Sequence, residues 1–109
     1  MTRLPMSRAA AALLRILIAR AAAPRDRILL SEVRSTDWES LTFTGERHCM
    51  LFHLRGPDAE ATFDRLTAGL EDADFHIPGQ IVADIRAGRR DMGEGQSIGV
   101  AIEALTIVE

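Results

Sequence analysis

The spacing of the apolar residues alternates between two periods along this chain, and each period marks a different kind of secondary structure. Residues 6–23 and 57–71 repeat apolar side chains every three or four positions, which predicts two amphipathic α-helices. Residues 28–55 and the stretch after residue 75 repeat them every second position, which predicts strands with one buried face. Because every element has one apolar side, the helices and strands have to pack together, and the sequence predicts an α+β fold.

The strands are expected to form antiparallel pairs. Gly45-Glu46 lies between two alternating segments, which predicts a hairpin turn there. Residues 75–87 and 98–108 form the second predicted pair. The resulting order is αββαββ, and we expect a two-layer sandwich in which a mainly antiparallel sheet of four or five strands carries both helices on one face. No linker divides the chain, so residues 1–109 are predicted to form a single domain.

Two features of the strands leave alternatives open. Residues 28–34 are a short segment in front of the alternating segment 38–44, and they add a fifth strand only if they pair separately. In the last strand, Leu105 and Ile107 have the parity opposite to that of the apolar residues before them. Either a bulge near Ala104 moves these side chains to the core face, or both faces of the sheet are covered there.

The composition is that of a folded domain without disulfides or membrane spans. Hydrophobic residues make up 47% of the chain, which argues against disorder. Cys49 is the only cysteine, so no internal disulfide can form, and we expect a reducing, cytoplasmic location. Arg15 and Arg20 interrupt the first helix, which leaves no run of about 20 apolar residues and no unbroken apolar core for a secretory signal. We therefore expect the helix at 6–23 to be retained in a soluble protein.

Residue usage and three sequence segments indicate a bacterial source. Lys, Tyr and Asn, which have A/T-rich codons, are absent, whereas Arg and Ala are abundant. The segments TDWESLTFTGERH (36–48), IPGQIVADI (77–85) and IEALTIVE (102–109) resemble those of a small, uncharacterised bacterial protein family. The resemblance implies no activity, ligand or catalytic residue.

The charge is divided unevenly between the first helix and the rest of the chain. Residues 1–25 contain five arginines and no acidic residue, whereas residues 26–109 contain eight arginines and all 16 acidic residues. The pI of about 5.6 argues against nucleic acid as a partner, since nucleic-acid-binding domains usually have a pI above about 9. Binding of the first helix to anionic lipid is an alternative, but this helix lacks the Trp or Phe that is usual on a membrane-bound face.

The titratable residues predict neither a metal site nor a catalytic motif. His48 and His53 lie on one predicted strand with opposite parity and therefore face opposite sides, whereas zinc requires three or four converging ligands. We expect no metal and no cofactor. His48, His76 and Asp84 are the candidates for an acid–base site in an enzyme or ligand-binding protein, which requires two of them to approach within about 3 Å. The alternative, which we favour, gives them structural or surface roles.

Arg89 and Arg90 are candidates for binding a phosphate-bearing ligand. They lie in a Gly-rich segment, residues 88–97, and arginine pairs with phosphate through two hydrogen bonds. A dinucleotide-binding loop is followed by a helix, however, and here a strand is predicted. We therefore expect residues 88–97 to form a hairpin loop between two strands.

Apolar residues on the second face of the sheet predict association. Trp38, Leu51, Leu105 and Ile107 have the parity opposite to that of the core-facing residues in their strands. Uncovered apolar surface on a small protein usually marks an interface, and a twofold homodimer is the simplest way to cover it. We predict that the chain binds a second copy of itself, or another protein, through these four residues. In the alternative, bulges turn the same side chains into the core.

Overall fold

Two helices and four strands are formed by the described part of the chain. The computed structural model describes residues 6–91 and 97–109. The helices are α1 (Arg8–Ala21) and α2 (Ala59–Thr67). The strands are β1 (Ile28–Glu39), β2 (Thr44–Leu54), β3 (Gln80–Asp91) and β4 (Ile98–Val108), and short 3₁₀ turns at Arg25–Arg27 and Leu70–Asp72 follow the two helices.

The four strands form one antiparallel sheet in the order β1-β2-β4-β3. The α+β class and the mainly antiparallel sheet are therefore as predicted. The predicted segments 28–34 and 38–44 do not form separate strands, because β1 runs without interruption from Ile28 to Glu39. β2 and β4 occupy the centre, so the side chains of these two strands have neighbours on both sides.

The prediction of a turn at Gly45-Glu46 is wrong. Both residues belong to β2 and pair with β1, and the turn occupies residues 40–43 instead. Gly45 is needed for a tertiary reason, because a Cβ at this position would overlap the carbonyl oxygen of Thr106 on β4. A glycine that resembles a turn residue in the sequence therefore marks a close approach between two central strands.

The third strand begins and ends later than the predicted range of 75–87. Gly79 precedes it with a φ of 75°, which only a turn or an irregular backbone accommodates. β3 then continues to Asp91 in register with β4, so the prediction of a loop at 88–97 is wrong for its first residues. Residues 92–96 of that predicted loop lie outside the described residues.

The irregularities of the sheet lie in its edge strands. One register shift occurs in β1, and a second occurs in β3 between Val82 and Asp84. The pairing of β2 with β4 has no shift, so the alternative of a bulge near Ala104 is wrong. Leu105 and Ile107 therefore stay on the face of the sheet opposite to Ala104.

The buried core combines residues of both helices with residues of one face of the sheet. Leu13 and Leu17 of α1 and Leu66 of α2 are completely buried in it. Alternate residues of the two central strands complete the core: Met50, Phe52 and Leu54 of β2, and Ile98, Val100 and Ile102 of β4. We call this side of the sheet the inner face, and the opposite side the outer face.

α1 follows its predicted pattern with shorter ends. The predicted helix at 6–23 is reduced to Arg8–Ala21, and the Ser7 hydroxyl oxygen caps it by accepting the Ala10 N–H at 3.1 Å. Its buried stripe contains Ala10, Leu13, Leu17 and Ala21, which follow the predicted spacing of three or four residues. The apolar stripe of this helix is therefore used inside the molecule.

α2 is shorter than the predicted helix at 57–71. It ends at Thr67, and Gly69 then adopts the left-handed conformation with a φ of 61° before a short 3₁₀ turn. Glycine accepts this conformation without the steric cost that other residues have, which explains why the helix ends here.

Two arginines join the ends of the helices. Arg20 Nε on α1 donates to the Leu66 carbonyl oxygen of α2 at 3.1 Å, and Arg65 Nε on α2 donates to the Ala21 carbonyl oxygen of α1 at 2.9 Å. The last carbonyl groups of a helix have no partner within the helix, so each helix supplies the missing donor for the other.

Candidate functional site

The outer face of the sheet carries all four predicted interface residues. Strand pairing aligns the side chains in rows that cross β1, β2, β4 and β3. Trp38 of β1 and Leu51 of β2 project from the outer face, as do Leu105 and Ile107 of β4, because they alternate with inner-face residues. All four are half-buried. The structure therefore places them on one surface and not in the core.

Three of these residues lie together at one end of the outer face. A single row crosses the sheet as Trp38, Gly45, Ile107 and Ile81, and Leu105 lies in the next row. Ile81, which the sequence prediction does not include, is 49% exposed. We call the surface formed by Trp38, Ile81, Leu105 and Ile107 the apolar end.

The β1–β2 hairpin adds apolar surface beyond this row. Leu41 at its tip is fully exposed, and Phe43 is about half exposed. The Ser40 N–H donates to the Phe43 carbonyl oxygen at 2.8 Å, which closes the turn between them. Polar residues and glycine dominate turns, so two large exposed apolar side chains here indicate a contact surface.

Leu51 lies apart from the apolar end. Its row contains Glu32, Ala101 and Gly88, and two further rows separate it from Trp38. The four predicted interface residues therefore share a face without forming one continuous patch.

The two rows between Leu51 and Trp38 carry five charged side chains. One row is Thr36, Arg47, Leu105 and Asp84, and the other is Arg34, Cys49, Glu103 and Arg86. Arg86 Nε donates to Glu103 Oε2 at 3.0 Å, and Arg34 Nη2 donates to Glu32 Oε1 at 3.2 Å. The side chains of Arg47 and Asp84 form neither a hydrogen bond nor an ion pair with any residue in the ranges 6–91 and 97–109.

A shallow hollow of about 290 Å³ lies among these charged residues. Arg34, Arg47 and Arg86 line it together with Asp84 and Glu103. Its volume is at the lower limit of small-molecule pockets, which begin at about 300 Å³. Because glutamates already neutralise two of the three arginines, the positive charge available to a small anion is limited.

His48 borders this hollow from β2, but its ring lies on the inner face. The ring is buried, with Nδ1 2.7 Å from Ser35 Oγ and Nε2 2.8 Å from Thr106 Oγ1. Burial lowers the pKa of His48 from its ordinary value of 6.5, while the nearby Glu46 carboxylate acts in the opposite direction. The arrangement gives His48 a structural role, because its ring joins β1, β2 and β4 beneath the sheet.

The three catalytic candidates are not brought together. Asp84 is exposed on the outer face, His48 is buried on the inner face, and His76 is exposed in the segment that precedes β3. Both ring nitrogens of His48 already bind hydroxyl groups. The described residues therefore provide no pair of these three groups in hydrogen-bonding contact, which acid–base catalysis requires.

Sequence reasoning misses the cluster of Ser35, His48 and Thr106. The available signal is parity, because His48 shares its face with the apolar residues Met50 and Phe52. Finding its two partners also requires the order of strands β1, β2 and β4, which no local pattern contains.

Arg89 and Arg90 have opposite orientations on β3. Arg89 Nη1 donates to Glu60 Oε1 of α2 at 2.8 Å, and its guanidinium carbon lies 5.2 Å from the centre of the Phe63 ring. The hydrogen bond from Arg89 lowers the pKa of Glu60. Arg90 is exposed and shares an outer-face row with His53. The two arginines therefore do not converge on one ligand.

The described ranges contain no group of three or more His, Cys, Asp or Glu side chains that could hold a metal ion. Cys49 is a free, exposed thiol on the outer face. Within the same ranges, neither helix has the length and apolar character needed to cross a membrane.

No protein-family model, curated protein or solved structure matches this chain. The resemblance of the segments at 36–48, 77–85 and 102–109 to a small bacterial family stays a prediction.

Proposed function

We propose that this protein acts by association and forms a homodimer through the outer face of its sheet. The observation that carries the proposal is the apolar end, where Trp38, Ile81, Leu105 and Ile107 lie in two adjacent rows. Covering this surface removes apolar area from water, which favours association. Contiguous exposed apolar surface is uncommon on small monomeric proteins and usually marks an interface.

The dimensions of the sheet suit a dimer of ordinary size. Four strands about 4.8 Å apart, with about ten residues each at about 3.4 Å per residue, span roughly 650 Å². A standard interface buries about 800 Å² of each partner. The outer face alone is therefore somewhat smaller than a standard interface, and the exposed hairpin tip at Leu41 and Phe43 offers additional contact surface.

The proposal includes a two-layer αββαββ sandwich for each subunit. In this arrangement α1 and α2 cover the inner face, which the burial of Leu13, Leu17 and Leu66 supports. The outer face is then the surface left for a partner. The exposed thiol of Cys49 on this face favours a reducing, cytoplasmic location, as the single cysteine does in the sequence.

The alternatives have less support from the positions of the residues. Binding to anionic lipid through α1 would require an apolar stripe that is packed into the core. An enzyme built on His48 and Asp84 would require two groups that face opposite sides of the sheet to meet. A small anion in the hollow would compete with the glutamates already bound to Arg34 and Arg86.

Size-exclusion chromatography with light scattering tests the homodimer. We expect a molar mass of twice the 12.0 kDa of one chain at micromolar concentrations. Ile81→Glu should shift the equilibrium to the monomer because it introduces a charge into the apolar end. The matched control is Ile18→Glu, which makes the same change on α1 at a residue of similar exposure, 42% against 49%. A wild-type chain that stays monomeric at several hundred micromolar would refute the proposal.

A further inference from the structure

Arg47 and Asp84 are placed symmetrically about the central strand β4. Both are exposed, both line the hollow, and they share one row in which Leu105 of β4 lies between them. Neither side chain has a polar partner in the part of the chain that the structure describes. Adjacent strands lie about 4.8 Å apart, so each of the two residues is one strand away from Leu105.

We infer that the two copies meet about a twofold axis that runs along β4, and that Arg47 of each copy binds Asp84 of the other. This inference rests on the proposed homodimer and specifies its geometry. Rotation by 180° about an axis along β4 lays β2 of one copy over β3 of the other. Because the axis is parallel to the strands, the rows are preserved and the Arg47–Asp84 contact is made twice, as a twofold interface requires.

The same axis brings Ile81, Leu105 and Ile107 of the two copies together, whereas Trp38 on β1 lies two strands from the axis, beyond the edge of the partner's sheet. Leu105 and Ile107 lie on the axis, so each of them meets its own counterpart. Gly45 and Ile81 lie one strand to either side in the apolar row, so Ile81 of one copy faces Gly45 of the other, where no side chain occupies the surface. A single rotation therefore brings together Ile81, Leu105 and Ile107 as well as the charged residues Arg47 and Asp84.

The charged residues of the outer face favour a twofold axis along β4 over other positions of the axis. An axis perpendicular to the strands lays β2 on its own copy, and β2 carries no acidic residue on the outer face to bind Arg47. An axis along β2 places Arg47 against itself, and an axis midway between β2 and β4 places it against Leu105 and sets Arg34 against Arg86. Like charges in contact oppose association, and an unpaired buried charge does the same.

Glu103 also lies on the proposed axis and faces its own counterpart. Its carboxylate is already bound to Arg86 of the same chain at 3.0 Å, which offsets this repulsion. Packed sheets with aligned strands cross at about −30°, so the rows match best near the crossing point. Arg47 and Asp84 satisfy this condition because both lie one strand from the axis.

Charge reversal tests the inference. Arg47→Asp creates two Asp–Asp contacts in its own homodimer, and Asp84→Arg creates two Arg–Arg contacts. We expect each variant alone to dimerise more weakly, with a dissociation constant raised about tenfold or more. An equimolar mixture of the two variants should form a heterodimer, because both of its contacts join opposite charges. The double variant should form a homodimer again for the same reason.

The measurements are light scattering for mass and native mass spectrometry for the composition of the mixed dimer. The matched controls are Arg15→Asp on α1 and Asp64→Arg on α2, which make the same charge reversals on exposed helix residues. We expect both controls to dimerise with the dissociation constant of the wild type. Circular dichroism and thermal unfolding establish that all variants fold.

The possible outcomes separate this inference from the proposed function. If the wild type is a dimer and the mixture of single variants does not restore association, the axis along β4 is wrong and the homodimer stands. Single variants that dimerise as tightly as the wild type also overturn the pairing. A wild-type chain that is monomeric at every concentration overturns both the pairing and the proposed function.

Discussion

His48 keeps a neutral ring at a position where a charge would be costly. Its two nitrogens bind the hydroxyl groups of Ser35 and Thr106, and burial lowers its pKa from 6.5. In the unfolded chain the ring is in water and titrates at its ordinary pKa. The unfolded state therefore binds a proton on this residue at a higher pH than the folded state does.

We expect the free energy of unfolding to fall as the pH decreases below 6.5, the ordinary pKa of His48. The stabilising contribution of the neutral ring is complete above this pH and is lost as the pH falls towards the lower folded-state pKa. The slope is at most about 1.4 kcal/mol per pH unit. His48→Gln should remove this part of the slope, as measured by urea unfolding on either side of this pH.

The control for that experiment is His53→Gln, because His53 lies on the same strand but on the outer face. Comparing each variant with the wild type separates the loss of the buried His48 from the loss of a histidine on the outer face. A pH slope in His48→Gln equal to that of the wild type would contradict the role of burial at this residue.

The candidate site could be predicted from the sequence only as far as parity extends. A period of two is sufficient to place Trp38, Leu51, Leu105 and Ile107 on one face of the sheet. The strand order is required to show that Ile81 lies beside three of them. Trp38 on β1 and Ile81 on β3 are far apart in the sequence, and only the order β1-β2-β4-β3 places them in one row. Parity therefore identifies a face, and topology identifies the patch on it.

At the scale of elements, α1 and α2 are connected through their C-terminal ends. Each helix has an arginine that donates to a terminal carbonyl group of the other, Arg20 to Leu66 and Arg65 to Ala21. A positively charged donor near a helix C-terminus is favoured by the helix dipole as well as by the hydrogen bond. The two helices therefore stabilise each other's ends.

We expect Arg65→Gln to lower the free energy of unfolding by about 1–2 kcal/mol, which is the usual worth of a partly exposed hydrogen bond from a charged donor. Arg20→Gln should have a similar effect. The control is Arg15→Gln, which changes an exposed arginine of α1 and should alter stability by less than about 0.5 kcal/mol. Guanidinium unfolding measures all three variants, and equal stability of Arg65→Gln and Arg15→Gln would refute the role of the helix ends.

The helices are predictable from the sequence where the strand ends are not. The stripe of Leu13 and Leu17 has a period that no strand shares, so local pattern is sufficient for α1. Gly45, which resembles a turn residue, lies inside β2 and lets Thr106 of β4 approach closely. That contact joins residues from two distant parts of the chain, so a prediction from the local sequence assigns the glycine to a turn.

At the scale of the whole molecule, the two faces of the sheet differ in what covers them. Inner-face residues share one buried core with residues of α1 and α2, whereas the outer face combines the apolar end with the charged rows that contain Arg47 and Asp84. A second copy would supply the outer face with a layer that matches both parts. Folding and association then become one thermodynamic process, because part of the apolar surface is buried only in the dimer.

We therefore expect the midpoint of thermal unfolding to rise with protein concentration. Mass action adds up to about 1.4 kcal/mol to the apparent free energy of unfolding for each tenfold increase in chain concentration. Calorimetry at low and high micromolar concentrations should show the midpoint moving by a few degrees. In Ile81→Glu, which disrupts the apolar end, the midpoint should stay constant over the same range. A constant midpoint in the wild type would mean that covering the outer face contributes nothing to stability, which contradicts an interface built on Ile81, Leu105 and Ile107.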